Sequence, residues 1–197
     1  MRGASHAFFV GKATSMEKIR PRGGDMPSPA DRLSVRLARG EYESLQVFVL
    51  AGGKDLKNVR VEVSDLDGPS NWLFFREKFS ATNVKVSVVG YVQTRRVPPY
   101  TVARITPSDR EKTGYRRVSG KAETGWWPDP ILDYLDRTDV RGDDLQGFWL
   151  RFRAPRAQAA GVYRGEVAVS ADGVEPKVIP LEVRADGFEV PSKTPLP

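Results

Sequence analysis

The strongest constraint on the fold is a run of alternating apolar and polar residues between positions 146 and 191. Apolar side chains alternate with other side chains in three segments, 148–153, 163–169 and 179–184. The apolar residues are Phe148, Leu150 and Phe152 in the first segment, Tyr163, Val167 and Val169 in the second, and Ile179, Leu181 and Val183 in the third. A period of two gives a strand one buried face and one solvated face. The pattern therefore predicts three β-strands in succession, each with one buried and one wet face, as in antiparallel sheets.

The second of these strands begins with a distinctive turn, Ala160-Gly161-Val162-Tyr163. A tyrosine just after a glycine, at the start of a strand, is typical of the tyrosine corner of immunoglobulin-like sandwiches. In that motif the phenol hydroxyl donates to backbone a few residues upstream and fixes a crossover between two sheets. The alternative interpretation is an ordinary core tyrosine at a strand start.

Alternation recurs along the rest of the chain, at 33–38, 42–50, 59–64 and 84–88. The 42–50 segment is apolar on both faces, which predicts a central strand covered on both sides. No segment has a sustained 3.6-residue period. The sequence thus predicts an all-β fold, an antiparallel β-sandwich of immunoglobulin-like or jelly-roll-like type, over a single domain at 1–190.

The segment 95–145 breaks this rhythm, because it is rich in proline and has few alternating stretches. It is interpreted as one long irregular insertion, the kind of loop that is uncommon in a compact domain unless it is functional. One helical turn is expected inside it, with Asp129 as N-cap, Pro130 in the first helical position and 131–135 following.

The composition excludes several function classes. The chain of 197 residues contains no cysteine and one histidine, His6. Thiolate metal sites and cysteine nucleophiles are therefore excluded, and a Ser-His-Asp triad or a multi-histidine metal site is disfavoured. No apolar run reaches the roughly 20 residues of a membrane span. No Gly-rich phosphate loop follows a strand and opens a helix, so a nucleotide site is not supported. No catalytic residues, no metal and no cofactor are assigned.

Charge is segregated within the insertion: 95–121 is strongly basic and 122–146 is strongly acidic. This arrangement favours self-pairing or a polar interface over a continuous nucleic-acid track, and no nucleic-acid partner is expected. The carboxylates of the acidic part (Asp129, Asp133, Asp136, Asp139, Asp143, Asp144) raise the possibility of calcium, although their spacing does not match an EF-hand loop. They also leave open a carboxylate pair for sugar hydrolysis, but no pair stands out.

Several motifs occur together in one order: 38–46 (ARGEYESLQ), 127–132 (WPDPIL), 160–167 (AGVYRGEV), 180–183 (PLEV) and 188–191 (FEVP). In this combination the chain resembles the non-catalytic β-sandwich that precedes the catalytic barrel in proteins similar to glycoside hydrolase family 123, a group that contains β-N-acetylgalactosaminidases. The resemblance covers most of the chain.

The resemblance implies a function without catalysis by this chain: an accessory domain that braces or shapes the site of a downstream catalytic barrel in the same protein. It implies that 191–197, a proline-rich stretch, is a linker toward that barrel. It also favours an extracytoplasmic or secreted location, which the residues themselves leave unknown. An autonomous carbohydrate-binding module, with a glycan as partner, is the alternative.

The candidate binding or domain-interface site lies in the insertion, at Trp126, Trp127, Pro128, Asp129 and Pro130. Adjacent tryptophans do not easily both face one core, so at least one is expected to be exposed or covered by a partner. The two prolines stiffen the segment and lower the entropic cost of binding. Three interpretations remain open: an interface, a cap on the sandwich core and a platform for sugar rings.

Overall fold

The computed structural model describes residues 8–22, 26–70, 76–95 and 124–191. The strands are β1 (Phe8–Thr14), β2 (Ser28–Pro29), β3 (Leu33–Arg39), β4 (Tyr42–Ala51), β5 (Leu56–Val63), β6 (Leu66–Ser70), β7 (Arg76–Phe79), β8 (Val84–Thr94), β9 (Gly125–Leu132), β10 (Arg137–Val140), β11 (Leu145–Arg153), β12 (Gly161–Ala171) and β13 (Val174–Glu189). A single 3₁₀ turn, Ala81–Asn83, precedes β8 in the described part. No helix in this part is long and apolar enough to cross a membrane.

The strands form two sheets that pack face to face. The six-stranded sheet has the order β2-β1-β4-β11-β8-β9, and the seven-stranded sheet has the order β10-β5-β12-β13-β3 with β6 and β7 beside β12. All pairings are antiparallel except β13 with β3, which is parallel. The neighbours β1-β4-β11-β8 match immunoglobulin strands A-B-E-D, and β5-β12-β13 match C-F-G. The predicted sandwich is confirmed, with the immunoglobulin-like topology.

The core follows the alternation in the sequence. The three apolar sets of β11, β12 and β13 are all buried between the sheets, with exposures of 2% or less. Strand β4 is covered on both sides as expected, because Val47 lies in the main core while Phe48 packs with Ala13 and Leu145 on the outer face. Gln46, beside Phe48, is 3% exposed. Burial of apolar surface at about 25 cal/mol per Å² supplies most of the stability of such a core.

The tyrosine corner is present. Tyr163 is fully buried, and its hydroxyl donates to the carbonyl of Ala159 over 2.6 Å. Its ring packs against Phe79, with centroids 6.0 Å apart. Burial raises the pKa of Tyr163. The bond spans the crossing from β11 in one sheet to β12 in the other.

The β6–β7 hairpin closes over this corner. A Cβ atom on Gly68 would lie 2.3 Å from the Tyr163 ring, so only glycine lets the hairpin approach this closely. Gln158, just upstream of the corner, donates from its side chain to the carbonyl of Lys78 over 3.0 Å. The corner therefore holds both the sheet crossing and the hairpin that covers it.

The prediction that 95–145 is one irregular insertion is wrong from Gly125 onward. This part forms β9 and β10, and β9 completes the six-stranded sheet by pairing with β8. The helical turn expected from Asp129 is also wrong, because Asp129 and Pro130 lie in β9. Proline is tolerated there because β9 is an edge strand, opposite a register shift between Val89 and Tyr91.

Gly90 explains how a proline-rich strand can pair at this edge. A Cβ atom at Gly90 would lie 2.7 Å from the Pro130 ring, so the missing side chain makes room for it. The turn after β9 is closed by the amide of Leu135, which donates to the carbonyl of Leu132 over 2.9 Å. Most of the basic run predicted at 95–121 lies outside the described residues.

Replacing Tyr163 with phenylalanine removes the corner hydrogen bond and keeps the ring. We expect Tyr163→Phe to lower the free energy of unfolding by about 0.5–1.5 kcal/mol, measured by urea denaturation. Tyr134→Phe is the matched control, because Tyr134 is 80% exposed. If the two variants have the same midpoint as the parent chain, the corner bond does not contribute.

Gly68→Ala tests the close packing against Tyr163. The new methyl group overlaps the ring, and we expect a loss of about 1–3 kcal/mol from overpacking. Gly187→Ala is the control, since its nearest contact would be Ala160 at 3.8 Å. Equal stability of the two alanine variants in the same denaturation assay would show that the hairpin does not rest on the ring.

Candidate functional site

The predicted site residues lie along β9, at one edge of the six-stranded sheet. Pro128 is buried, Asp129 and Pro130 are exposed, and Trp126 and Trp127 are half-buried. The adjacent tryptophans do not share one core environment, as their succession along a strand requires. Each is instead covered by its own arginine, with the Arg20 guanidinium 5.3 Å from the Trp127 ring centre and that of Arg22 5.6 Å from the Trp126 ring centre.

Both arginines belong to a strap, residues 15–22, that follows β1 and crosses the outer face of the six-stranded sheet. Ile19 packs there against the small cluster around Phe48. The side-chain amide of Gln46 donates to the carbonyls of Thr14 and Glu17 over 2.7 and 2.8 Å. A buried amide with two acceptors holds the strap in register, so the arginines reach the tryptophans from a fixed base.

The far end of the strap is anchored by an ion pair. Arg22 donates two hydrogen bonds to the Asp144 carboxylate, over 2.9 and 2.6 Å. These bonds lower the pKa of Asp144 and raise the pKa of Arg22. A bidentate arginine–carboxylate pair fixes direction as well as distance. It therefore sets the position of the Arg22 guanidinium over Trp126.

Beside Trp126 the strands β8 and β11 separate. The two strands pair through backbone hydrogen bonds from Phe152 to Phe148 of β11. Beyond Phe148, hydrogen bonds from two side chains replace the backbone pairing. The Tyr91 hydroxyl accepts from the amide of Gly147 over 2.8 Å, and the Gln146 side chain donates to the carbonyl of Val89 over 2.8 Å. Burial, above all, raises the pKa of Tyr91 to about 12. The separation leaves a cavity next to the predicted site.

The acidic residues between positions 133 and 144 each have their own hydrogen-bond or ion-pair partner. Asp133 accepts from Ser87 over 2.8 Å, Asp136 pairs with Arg137, Asp139 pairs with Lys57, and Asp143 accepts from the amide of Gly53. Asp144 is held by Arg22. Across 8–22, 26–70, 76–95 and 124–191, no three acidic or histidine side chains gather where they could hold a metal ion. The carboxylates of this loop serve local ion pairs and turns.

A second feature lies where the chain leaves the sandwich. Strand β13 pairs with β12 up to Ala185 and then continues to Glu189, opposite Arg39 at the end of β3. The amide of Val190 donates to the carbonyl of Arg39 over 2.9 Å, and Arg156 forms an ion pair with Glu189. We call this end of the sandwich the exit end.

The exit end carries apolar side chains that the fold does not cover. Phe188 is 61% exposed, Tyr42 is 58% exposed and Val190 is 38% exposed. The Arg153 guanidinium lies 5.7 Å from the centre of the Tyr42 ring. Exposed aromatic side chains beside arginines have the composition of protein interfaces.

The predicted tryptophans and the exit end lie at opposite ends of the sandwich. Tyr42 pairs with Arg153, and Val84, at the start of β8, pairs with Phe152. Trp126 pairs with Gln93, near the other end of β8. Strand β8 has 11 residues, which at about 3.3 Å per residue separates its ends by roughly 30 Å.

Sequence reasoning did not select the side chains around Trp126 or at the exit end as site residues. Arg22 and Tyr91 reach the site through long-range contacts, which local patterns do not report. The available signal was that the apolar alternation continues, with Phe188 and Val190 on either side of Glu189, beyond the segment 179–184 that was assigned to the core.

Comparison with known proteins identifies the domain family to which this chain is similar. The family described as "Glycoside hydrolase 123 N-terminal domain" matches residues 26–171. No curated protein sequence matches. A solved family 123 glycoside hydrolase from Clostridium perfringens, described in terms of glycolipid glycan hydrolysis, superposes on 93% of this chain with a TM-score of 0.68 and 14% identity. The matched part is 28% of that enzyme, so this chain spans well under half of its length.

Two other solved structures are similar only in outline. A PapD-like domain of human CEP192 covers 91% of this chain and 99% of its own, with 11% identity and a TM-score of 0.40. The sporulation control protein Spo0M of Bacillus subtilis covers 92% of this chain and 50% of its own, with 10% identity and a TM-score of 0.39. The family match, by contrast, extends over more than half of the sequence. The chain belongs to the glycoside hydrolase 123 N-terminal domain family.

Proposed function

We propose that this chain is a non-catalytic accessory domain that packs, through its exit end, against a catalytic domain following it in the same protein. The single observation that carries the proposal is the path of β13. The strand continues past its partner β12, so the chain leaves the sandwich at the exit end. Tyr42, Phe188 and Val190 are exposed at this end of the isolated domain. A domain that follows directly would meet these side chains first.

The geometry of the exit supports a rigid junction. Glu189 is held by Arg156, and the amide of Val190 by the carbonyl of Arg39. The Arg39 side chain in turn donates to the carbonyl of Gly187 over 2.9 Å. Holding the chain in place up to Val190 leaves less of it to be ordered when the two domains pack, which lowers the entropic cost of packing.

The absence of catalysis by this chain is part of the proposal. The described aspartates of the acidic loop, Asp129 excepted, are engaged by arginines, lysines, hydroxyls or backbone amides. A glycosidase needs two carboxyls facing each other across a cleft. Asp139 and Asp144 both line the cavity beside Trp126, but each is held by its own cation, Lys57 and Arg22. The Clostridium perfringens enzyme continues far beyond the matched part, and we place catalysis in the equivalent continuation of this protein.

The tryptophan segment, Trp126 to Pro130, stays a proposed contact surface of this domain. It lies at the end away from the exit, so it meets the following domain only if that domain extends along the whole six-stranded sheet. A compact neighbour would reach the exit end alone. The two surfaces can be separated by mutation.

The docking surface is tested by expressing this chain and the remainder of its parent protein separately and measuring their association by calorimetry. We expect Phe188→Ser and Tyr42→Ser each to weaken binding about tenfold, since buried aromatic side chains dominate interface energies. Val178→Ser is the control: Val178 is on the same strand, is 52% exposed and lies near the opposite end.

The same calorimetric assay also tests whether the tryptophan segment takes part in the interface. Trp126→Phe and Trp127→Phe leave the affinity unchanged if the partner is confined to the exit end. An equal loss in Phe188→Ser and Val178→Ser would reject the exit end as the docking surface. A loss confined to the tryptophan variants would move the interface to β9.

The isolated chain is expected not to release product from aryl glycosides, including aryl N-acetylgalactosaminide, above the rate in buffer. The physical reason is the engagement of its carboxylates in separate ion pairs. The measurement is release of the chromophore by repurified protein. Turnover that persists through repurification and disappears on a loop substitution such as Asp129→Asn would contradict the non-catalytic assignment.

A further inference from the structure

A cavity of about 200 Å³ lies where β8 and β11 separate, lined among others by Arg22, Tyr91, Trp126, Arg141, Asp144 and Gln146. It has room for several water molecules or for part of one small ring. It is independent of the exit end, which lies at the other end of the sandwich. Its chemistry is defined by three properties: charge, hydrogen-bonding capacity and an aromatic wall.

The charges of the lining balance. Two cations, Arg22 and Arg141, face two anions, Asp139 and Asp144. Arg22 and Asp144 neutralise each other directly, with a shortest distance of 2.6 Å. An anionic ligand would approach the carboxylates and a cationic ligand the guanidinium groups, so neither sign gains a net advantage. The lining therefore favours a neutral ligand.

The polar groups offer both donors and acceptors. The Tyr91 oxygen already accepts from Gly147, and no described residue accepts the Tyr91 hydrogen. The Gln146 amide nitrogen donates to the carbonyls of Val89 and Gly147, which leaves its oxygen as an acceptor without a donor in the described ranges. Each Asp144 oxygen keeps a lone pair beyond its bond to Arg22. A ligand that matches these groups carries hydroxyls, which both donate and accept.

We propose that this cavity binds the edge of one ring of a neutral, polyhydroxylated sugar, with Trp126 as the apolar wall and Tyr91, Gln146 and Asp144 as hydrogen-bonding partners. Sugar rings present C–H surface next to hydroxyls, and an indole beside polar groups complements both. Arg22 is the positioning residue, because it lies over the Trp126 ring while it holds Asp144.

The test is a titration of the 197-residue chain, labelled with ¹⁵N, with galactose, glucose and their N-acetylamino forms at millimolar concentration. The indole N–H signal of Trp126 is assigned by its loss in Trp126→Phe. We expect this signal, and the amide of Gly147 bonded to Tyr91, to shift saturably with at least one sugar. Acetate and choline, a small anion and a small cation, are expected to shift neither.

Two neighbouring pairs provide matched variants. Asp144→Asn is expected to weaken sugar binding about tenfold, since it removes a charged acceptor. Asp143→Asn, next to it and bonded to Gly53 outside the cavity, is expected to leave binding unchanged. In the same way Trp126→Phe weakens the response at Gly147, and Trp127→Phe does not.

Each contrary result overturns the proposal. Signals that move with no sugar reject a sugar site, and signals that move with acetate or choline instead reject a neutral ligand. Equal affinities for Asp144→Asn and Asp143→Asn place the bound sugar elsewhere. If Asp144→Asn loses its dispersed spectrum, the comparison of Trp126→Phe with Trp127→Phe at the Gly147 amide decides alone.

Discussion

The hydrogen bond from Tyr163 to the carbonyl of Ala159 fixes the point at which the chain crosses from one sheet to the other. Strand β12 begins there and occupies the centre of the second sheet, between β5 and β13. Strand β13 pairs with β12 and carries the parallel strand β3 on its other side. An error in this crossing would displace both neighbours, so the position of the exit end also depends on it.

The strap is the second constraint, because it determines which surface the domain can offer. Without residues 15–22, Phe48 and the Gln46 amide would face solvent on the outer side of the six-stranded sheet. Ile19 covers the first, and the carbonyl of Glu17 in the strap accepts from the second together with that of Thr14 at the end of β1. Since the chain itself occupies the middle of that face, a partner that approaches the six-stranded sheet is left with its edges and ends. The exit end and the β9 edge are such places.

The sequence predicted the elements whose cause is local and missed those whose cause is distant. Strands β11, β12 and β13 are readable because one buried face imposes a period of two on residues such as Leu150, Val167 and Leu181. Strand β9 is not readable, because its prolines break the rule for strands. They are accepted only at an edge, and Pro130 needs the space left by Gly90 across the ladder.

In the candidate site, too, local features could be predicted from the sequence and long-range contacts could not. A pair of adjacent tryptophans within a polar segment is visible in the sequence, and so is their unsuitability for one core. Their covering by Arg20 and Arg22 is not visible, since more than 100 positions separate the partners and the ion pair to Asp144 positions Arg22. The partners of the acidic run are likewise not visible: its carboxylates have separate partners such as Lys57 and Ser87, which composition cannot assign.

The separation of the two ends bears on whether one domain can brace a neighbour and also hold a sugar. A neighbour packed on the exit end leaves the cavity beside Trp126 open, roughly 30 Å away along β8. A neighbour packed on β9 would instead cover the Trp126 edge and restrict access to that cavity. Docking at the exit and ligand binding at the cavity are therefore compatible, whereas docking on the tryptophans competes with it. For this reason the location of the interface decides what the cavity can do in the longer protein.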